Sequence, residues 1–200
     1  MRRDGVAEHS EIEMTPAPSQ ADEAHLIRRI TEGDRRAFEA LYRLYHPRLV
    51  RFLSGLLRKP EVIEEVLNDT LLAVWRRPDS FNGGSKLSTW IFAIAYRKAS
   101  RARLRLDEPV EGEDAESRAS DEGAPEQQLG RQQLHEVLRS AMQRLSADHR
   151  AAVDLTYFYE LGYKEIAEIM DCPVDTVKTR VFHARRLLRK SLSGSLMDWL

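Results

Sequence analysis

Of the 200 residues, one is cysteine, Cys172, so the chain can close no internal disulfide and build no cysteine-cluster zinc site. That usage fits a reducing compartment, with the cytoplasm as the default. No apolar run approaches the 18 or so residues a membrane span needs, and the N-terminus follows Arg2 and Arg3 with acids and prolines where a signal peptide would need an apolar stretch. Export and direct membrane insertion are therefore not expected. Long alternating runs of β-branched residues are missing too, which argues against a sheet. Phosphate-binding Gly loops and nucleophile elbows are absent, and the six histidines (His9, His25, His46, His135, His149, His183) have no ligand spacing with carboxylates. No enzyme, metal, cofactor or small-molecule substrate is expected.

What is present reads as all-α: 42% hydrophobic residues rich in Leu and Ala, with many Arg and Glu, and only eight Pro and ten Gly. The formal net charge of −1 conceals a strong local imbalance. Between Asp107 and Glu126 nine acids stand against one base, Arg118, a segment charge of −8, which leaves about +7 on the rest (−1 minus −8). The chain therefore reads as two basic modules on an acidic tether. The expected divisions are a disordered extension over 1–21, a first helical domain over 22–106, an acidic flexible linker over 107–129, a second helical domain over 130–192 and a tail over 193–200.

In the first module Leu26, Ile27 and Ile30 form one helical stripe, and Gly33 followed by Asp34 supplies a stop and a new N-cap. Phe38, Leu41, Tyr42 and Tyr45 form a second stripe, expected to end before Pro47. A third helix from about Pro60 to Trp75 puts Ile63, Val66, Leu67, Thr70, Leu71 and Val74 on one side and Glu61, Glu64, Glu65, Asn68 and Asp69 on the other. After a loop at Phe81–Ser85, a fourth helix runs Trp90, Phe92 and Tyr96 into the cations Arg97, Lys98, Arg101, Arg103 and Arg105, with no acid between Asp79 and Asp107. A negative partner is implied. Trp90, Ile91, Ile94 and Ala95 also fit a buried stripe, so Trp90 is assigned to the core.

The second module contains YKEIAEIMDCPVDTVKTRVFHARRLLRK, two helical segments separated by Asp171-Cys172-Pro173, the mark of a helix-turn-helix. At 100° per residue, Val177, Val181, Ala184 and Leu188 of the second segment fall within about 60° of each other and form its core side. Opposite lie Asp175, Lys178, Thr179, Phe182 and Arg186, with His183 at the margin. Lys and Thr can hydrogen-bond base edges in a major groove, Phe can contact thymine methyls, and Arg180, Arg185, Arg186 and Arg189 can hold phosphates. Asp175 would repel phosphate and is expected to cap the helix. Cys172 reads as a small turn filler.

AFEALYRLYHPRL, VLNDTLLAVWR, FNGGSKLSTWIFAIAYRKA and EIAEIMDCPVDTVKTRVFHARRLLRK together resemble, in order, the successive regions of a bacterial RNA polymerase sigma factor of the two-domain, extracytoplasmic-function type. That resemblance implies that the first domain binds core RNA polymerase and the −10 promoter element, and that the helix-turn-helix reads the −35 element. By the same resemblance Glu65, Asn68 and Asp69 dock the basic polymerase clamp. Asn82, Ser85, Lys86 and Ser88 take a flipped −10 base, and Arg97, Lys98, Arg101 and Arg105 hold the DNA. Lys178, Thr179, Arg180, Phe182, His183 and Arg186 read the −35 duplex. An acidic linker of twenty-odd residues is too short for the middle domain of larger sigma factors and would thread into the polymerase's nucleic-acid channel. Departures from the family pattern fall at Arg97 and Ser100 or Arg101 in the fourth helix, at Gly162 and Asp175 around the helix-turn-helix, and at His183. Partners implied are core RNA polymerase, promoter DNA and an anti-sigma factor. The competing readings are an autonomous helix-turn-helix regulator, which would dimerise and bind DNA without polymerase, and a sigma mimic that sequesters an anti-sigma protein, which would need neither set of cations.

Overall fold

The computed structural model describes residues 20–107 and 138–197, and among these every regular element is helical. Residues 1–19 of the expected extension, 108–129 of the expected linker and 198–200 of the tail lie outside the described residues, whereas Gln20, Ala21, Asp107 and residues 193–197 are helical. The first bundle comprises α1 (Gln20–Thr31), α2 (Arg35–Ser54), α3 (Pro60–Arg76), a 3-10 turn (Pro78–Ser80) and α4 (Leu87–Asp107). The second has a helical stretch at 138–143, then α5 (Ala147–Tyr157), α6 (Tyr163–Met170) and α7 (Val174–Met197).

Local chemistry sets the boundaries. Gly33 has φ +82, a conformation costly for any residue with a Cβ. Asp34 then caps α2 by accepting from the N–H groups of Arg36 and Ala37, and a 2.6 Å bond from Arg29 helps hold its carboxyl below the usual range. α2 does not end before Pro47: it continues to Ser54 with Pro47 inside it. Ala37, Leu41, Tyr45, Leu49, Phe52 and Leu53 form a buried stripe along its whole length, and that burial outweighs one missing backbone bond. Tyr45 is fully buried and donates 2.6 Å to Glu23, anchoring α1.

α4 is packed on two sides, by α3 and α2 within its own bundle and by α6 of the other. This double burial explains its aromatics. Phe92 is fully buried, Tyr96 is 7% exposed, and Trp90 is half-buried against Phe81 with ring centroids 5.5 Å apart. Consequently the two bundles share one continuous core, reaching from Ile27 in α1 to Val181 in α7. Tyr159, just past α5, enters the first bundle: its ring lies 4.7 Å from Phe92 and 6.2 Å from Phe52, and its hydroxyl donates to the Arg48 carbonyl at 2.7 Å. Nearby, Gly55 leaves room for Asp154, whose Oδ2 would stand 2.9 Å from a Cβ at that position.

Candidate nucleic-acid interfaces

The helix-turn-helix is built by α6 and α7. Gly162 caps α6 while the Glu165 side chain accepts from the Gly162 N–H at 3.0 Å. Asp171 adopts a left-handed conformation (φ 48) that ends α6, and the Pro173 carbonyl receives the first N–H groups of α7. Ile166, Ala167, Ile169 and Met170 are buried on one side of the turn, and Val177, Val181 and Ala184 on the other, with Leu188 half-buried. The wheel read from the sequence therefore holds.

The outward side of α7 carries Lys178, Thr179, Phe182 and Arg186, all exposed, with His183 partly covered. Phe182 is 63% exposed, a large apolar ring with no core to enter. The polar groups here have local partners. Lys178 pairs with Asp175 at 2.9 Å, and the Thr179 hydroxyl donates to the Asp175 carbonyl at 2.8 Å. Asp175 lies inside the first turn of α7 and does not cap it: its carboxylate is taken up by Lys178. Arg180 faces elsewhere: it bonds Asp148 at 2.9 Å and approaches the Cys172 sulfur at 3.5 Å. Burial raises the Cys172 thiol above its ordinary pKa, so it is not poised as a thiolate.

In the first bundle, the loop before α4 exposes Asn82 and Lys86, half-covers Ser85 and buries Ser88 to 7%. The Asn82 side chain accepts from the Gly84 N–H at 2.9 Å and shapes the loop. Lys86 pairs at 2.8 Å with Glu165 of α6. Burial works against the Glu165 charge, but Lys86, the Gly162 N–H and Thr89 together hold its carboxyl below the ordinary value.

Along α4, Arg97 and Arg101 are exposed, whereas Lys98 and Arg105 pair with Asp69 at 3.2 Å and Glu65 at 3.4 Å on α3. Glu65, Val66, Asp69, Lys98, Arg101, Leu104 and Arg105 line a shallow groove between the two helices. Asn68 is exposed on the same acidic face. Two carboxylates read as polymerase contacts and two cations read as DNA contacts are therefore one another's partners.

Sequence reasoning did not single out a group of residues where the bundles meet. Asp148, at the start of α5, accepts from Tyr96 at 3.0 Å, Arg103 at 3.3 Å and Arg180 at 2.9 Å. Burial first, and Asp148 next, push the Tyr96 phenol up to about 12. Arg150 donates to the carbonyls of Met142, Gln143 and Leu145 and, across the seam, to that of Gly55 at 2.9 Å. In the run Tyr157-Phe158-Tyr159, Tyr159 enters the seam while Tyr157 and Phe158 stay exposed, so the run by itself does not reveal it.

Among the described residues no group of three or more His, Cys, Asp or Glu side chains could hold a metal, and no helix is long and apolar enough to cross a membrane.

Residues 41–108 match the sigma-70 region 2 family and residues 135–188 the sigma-70 region 4 family. The RNA polymerase sigma-H factor of Pseudomonas aeruginosa is 30% identical over 190 residues, 90% of this chain and 98% of the relative. The extracytoplasmic-function sigma-E factor of Haemophilus influenzae is 29% identical over 183 residues, 86% of this chain and 96% of that one. Among solved structures, the sigma factor RpoE in complex with the anti-sigma factor NepR from Bartonella quintana superposes with a TM-score of 0.60 at 30% identity, covering 78% of this chain and 96% of that chain. CnrH in complex with the cytosolic domain of CnrY shares the fold, with a TM-score of 0.60 at 20% identity over 86% of this chain and 98% of that chain.

Proposed function

The chain belongs to the sigma-70 family as an extracytoplasmic-function sigma factor, and we propose from that membership how its side chains divide the work of transcription initiation. It is an alternative sigma factor: it binds core RNA polymerase and directs it to promoter DNA. The domains are taken as 22–106 and 130–192. Its relatives are sigma factors, regulatory proteins, and no catalytic step or cofactor is assigned to this chain. The cytoplasm, where polymerase and promoter are, is its proposed location.

Lys178, Thr179, Phe182, His183 and Arg186 read the −35 duplex from the outward side of α7, and Arg180 adds a phosphate contact once released from Asp148. Asn82, Ser85, Lys86 and Ser88 form the pocket rim for a base of the −10 element, and Arg97, Lys98, Arg101 and Arg105 hold the backbone beside it. Strand separation needs no covalent chemistry here. Unstacking a base costs a few kcal/mol, and a pocket that stacks the flipped base returns roughly 1–3 kcal/mol per base. Glu65, Asn68 and Asp69 dock a basic surface of the polymerase, a contact that sets register and encounter rate more than affinity. An anti-sigma factor is the proposed negative regulator, in line with the solved relative captured with the anti-sigma factor NepR.

The observation that carries this reading is the outward face of α7, where a 63% exposed Phe182 stands among Lys178, Thr179 and Arg186 in an otherwise well-packed helix-turn-helix. The test is selection from a random DNA library with and without core RNA polymerase. Enrichment of a two-block motif with core alone is the expected result. A palindrome enriched without core would instead make the chain an autonomous regulator, and no enrichment in either arm would favour a sigma mimic.

A further inference from the structure

On the first two turns of α7 the hydrogen-bond donors and acceptors can be counted. Asp175 directly follows Val174, the first residue of the helix, and the leading residues of a recognition helix are the ones that meet base edges in a major groove. Its side chain is 89% exposed and packs against no core. Lys178 donates to its Oδ1 at 2.9 Å. The carboxylate keeps Oδ2 for a further donor, and the ammonium keeps its other N–H groups. Thr179 spends its hydroxyl proton on the Asp175 carbonyl at 2.8 Å, which leaves that hydroxyl able only to accept.

A carboxylate on a face that approaches DNA is costly unless it meets a donor, and phosphates offer none. On the major-groove edge the donors are the exocyclic amines, N4 of cytosine and N6 of adenine. Each lies beside a carbonyl oxygen of the paired base, O6 of guanine or O4 of thymine. An acceptor and a donor held 2.9 Å apart on the protein therefore face a donor and an acceptor that are hydrogen-bonded to each other on the base pair. What lies beyond the carbonyl oxygen separates the two cases. Guanine places N7 there, a second acceptor for the remaining Lys178 donors, whereas thymine places its C5 methyl, which an ammonium cannot hydrogen-bond.

We infer that Asp175 and Lys178 act as one reading unit for a cytosine–guanine pair in the upstream promoter element, with Asp175 taking the cytosine amine and Lys178 taking O6 and N7 of the guanine. The order along the helix, Asp175 before Lys178, fixes which strand carries the cytosine. The inference rests on the proposed assignment of this face of α7 to the −35 duplex. Asp175 is then a residue of specificity and not of affinity. Its charge repels the phosphates of every sequence and is compensated only where an amine meets it.

The experiment presents the full chain, bound to core RNA polymerase, with a promoter library randomised over the upstream element, and counts the bases retained at each position. One position is expected to favour cytosine on one strand by roughly 10-fold. Asp175→Ala flattens that position, leaves the others as they were and raises retention overall. Asp175→Asn brings adenine up beside cytosine there, because an amide pairs with N6 and N7 of adenine together. Lys178→Ala also admits adenine, since the carboxylate alone accepts from either amine. Base profiles that coincide for the parent, Asp175→Ala and Asp175→Asn overturn the inference. They do so even if Asp175→Ala binds all DNA more tightly or melts at a lower temperature, since lost repulsion and a lost charge at the helix start would account for those changes. A parent that retains no upstream block with core present is a different result: it removes α7 from DNA reading altogether, and the inference falls with it.

Discussion

The two regions proposed to face DNA hold their polar groups in different ways. On α7 the partners of Lys178 and Thr179 are local, since both bond Asp175, three and four residues away on the same helix, and Arg180 is the exception that reaches Asp148 of α5. Around α4 they are distant: Lys98 bonds Asp69 at a separation of 29 residues, and Arg105 bonds Glu65 at 40. Lys86 reaches Glu165 in the other bundle. A local partner can be exchanged for a base or a phosphate with no change in tertiary structure. A distant partner makes the exchange conditional on what another element is doing. The proposed −35 face, Arg180 apart, is thus ready in the free chain, while the proposed −10 face is conditional on α3 and on the seam.

Asp69→Lys strikes that conditional side hardest. It removes a carboxylate proposed to meet the polymerase clamp and sets a new cation against Lys98, so affinity for core polymerase should fall by roughly 100-fold. The thermal midpoint should stay near that of the parent, because an exposed ion pair contributes about 0–1 kcal/mol. Fluorescence-detected core binding checks this, and unchanged affinity removes Asp69 from the docking surface.

Alkaline pH should weaken the seam. The Tyr96 phenol titrates at about 12 in the folded chain, raised by burial and then by Asp148, against about 10 when unfolded. A folded value above the unfolded one means that the stabilisation is complete below pH 10 and is lost as pH rises from 10 through 12. Urea unfolding across that window should show the parent losing stability more steeply than Tyr96→Phe, by at most about 2–3 kcal/mol. Parallel curves would show that Tyr96 does not titrate across the seam.

The ready side should behave as a plain surface. Phe182→Ala is expected to weaken binding to a −35 duplex by about 10-fold, the value of one buried aromatic contact of 1–2 kcal/mol. Its thermal midpoint should not move, since the ring is 63% exposed and supports no core. A lowered midpoint would mean that Phe182 has a folding role in place of a reading one.

This asymmetry also explains what could be read from the sequence. The helix-turn-helix was legible because its signals are periodic and short-range: Val177, Val181 and Ala184 recur at helical spacing, and the turn at Asp171-Cys172-Pro173 is confined to three residues. The cap at Asp34 was legible for the same reason. Pro47 misled, because its local cost was visible while the stripe from Leu49 to Leu53 that outweighs it depends on burial. The seam was not legible: Asp148, Arg150 and Glu165 look like ordinary surface charges until α4 and Gly55 are brought against them. The burial of Phe92 and Tyr96 was hidden for the same reason, since the helix that covers their second side lies beyond the linker.

The smallest effect lies in the salt dependence of −10 DNA binding, and it separates the two kinds of cation on α4. Arg97 and Arg101 are exposed, whereas Lys98 and Arg105 hold Asp69 and Glu65. A cation that neutralises a phosphate contributes roughly 0.9 to the slope of log affinity against log salt, or about 0.7 on a single strand. In the free chain, replacing Arg97 or Arg101 with Ala should reduce the slope by nearly that amount, and replacing Lys98 or Arg105 by much less, because each already has a carboxylate. On the proposed docking, core polymerase changes the balance by taking Glu65 and Asp69 for its own basic surface, which leaves Lys98 and Arg105 to the DNA. With core present all four substitutions should reduce the slope equally. Slopes that differ between the two pairs both with and without core would mean that polymerase docks elsewhere on α3 and that the α3–α4 ion pairs survive in the holoenzyme.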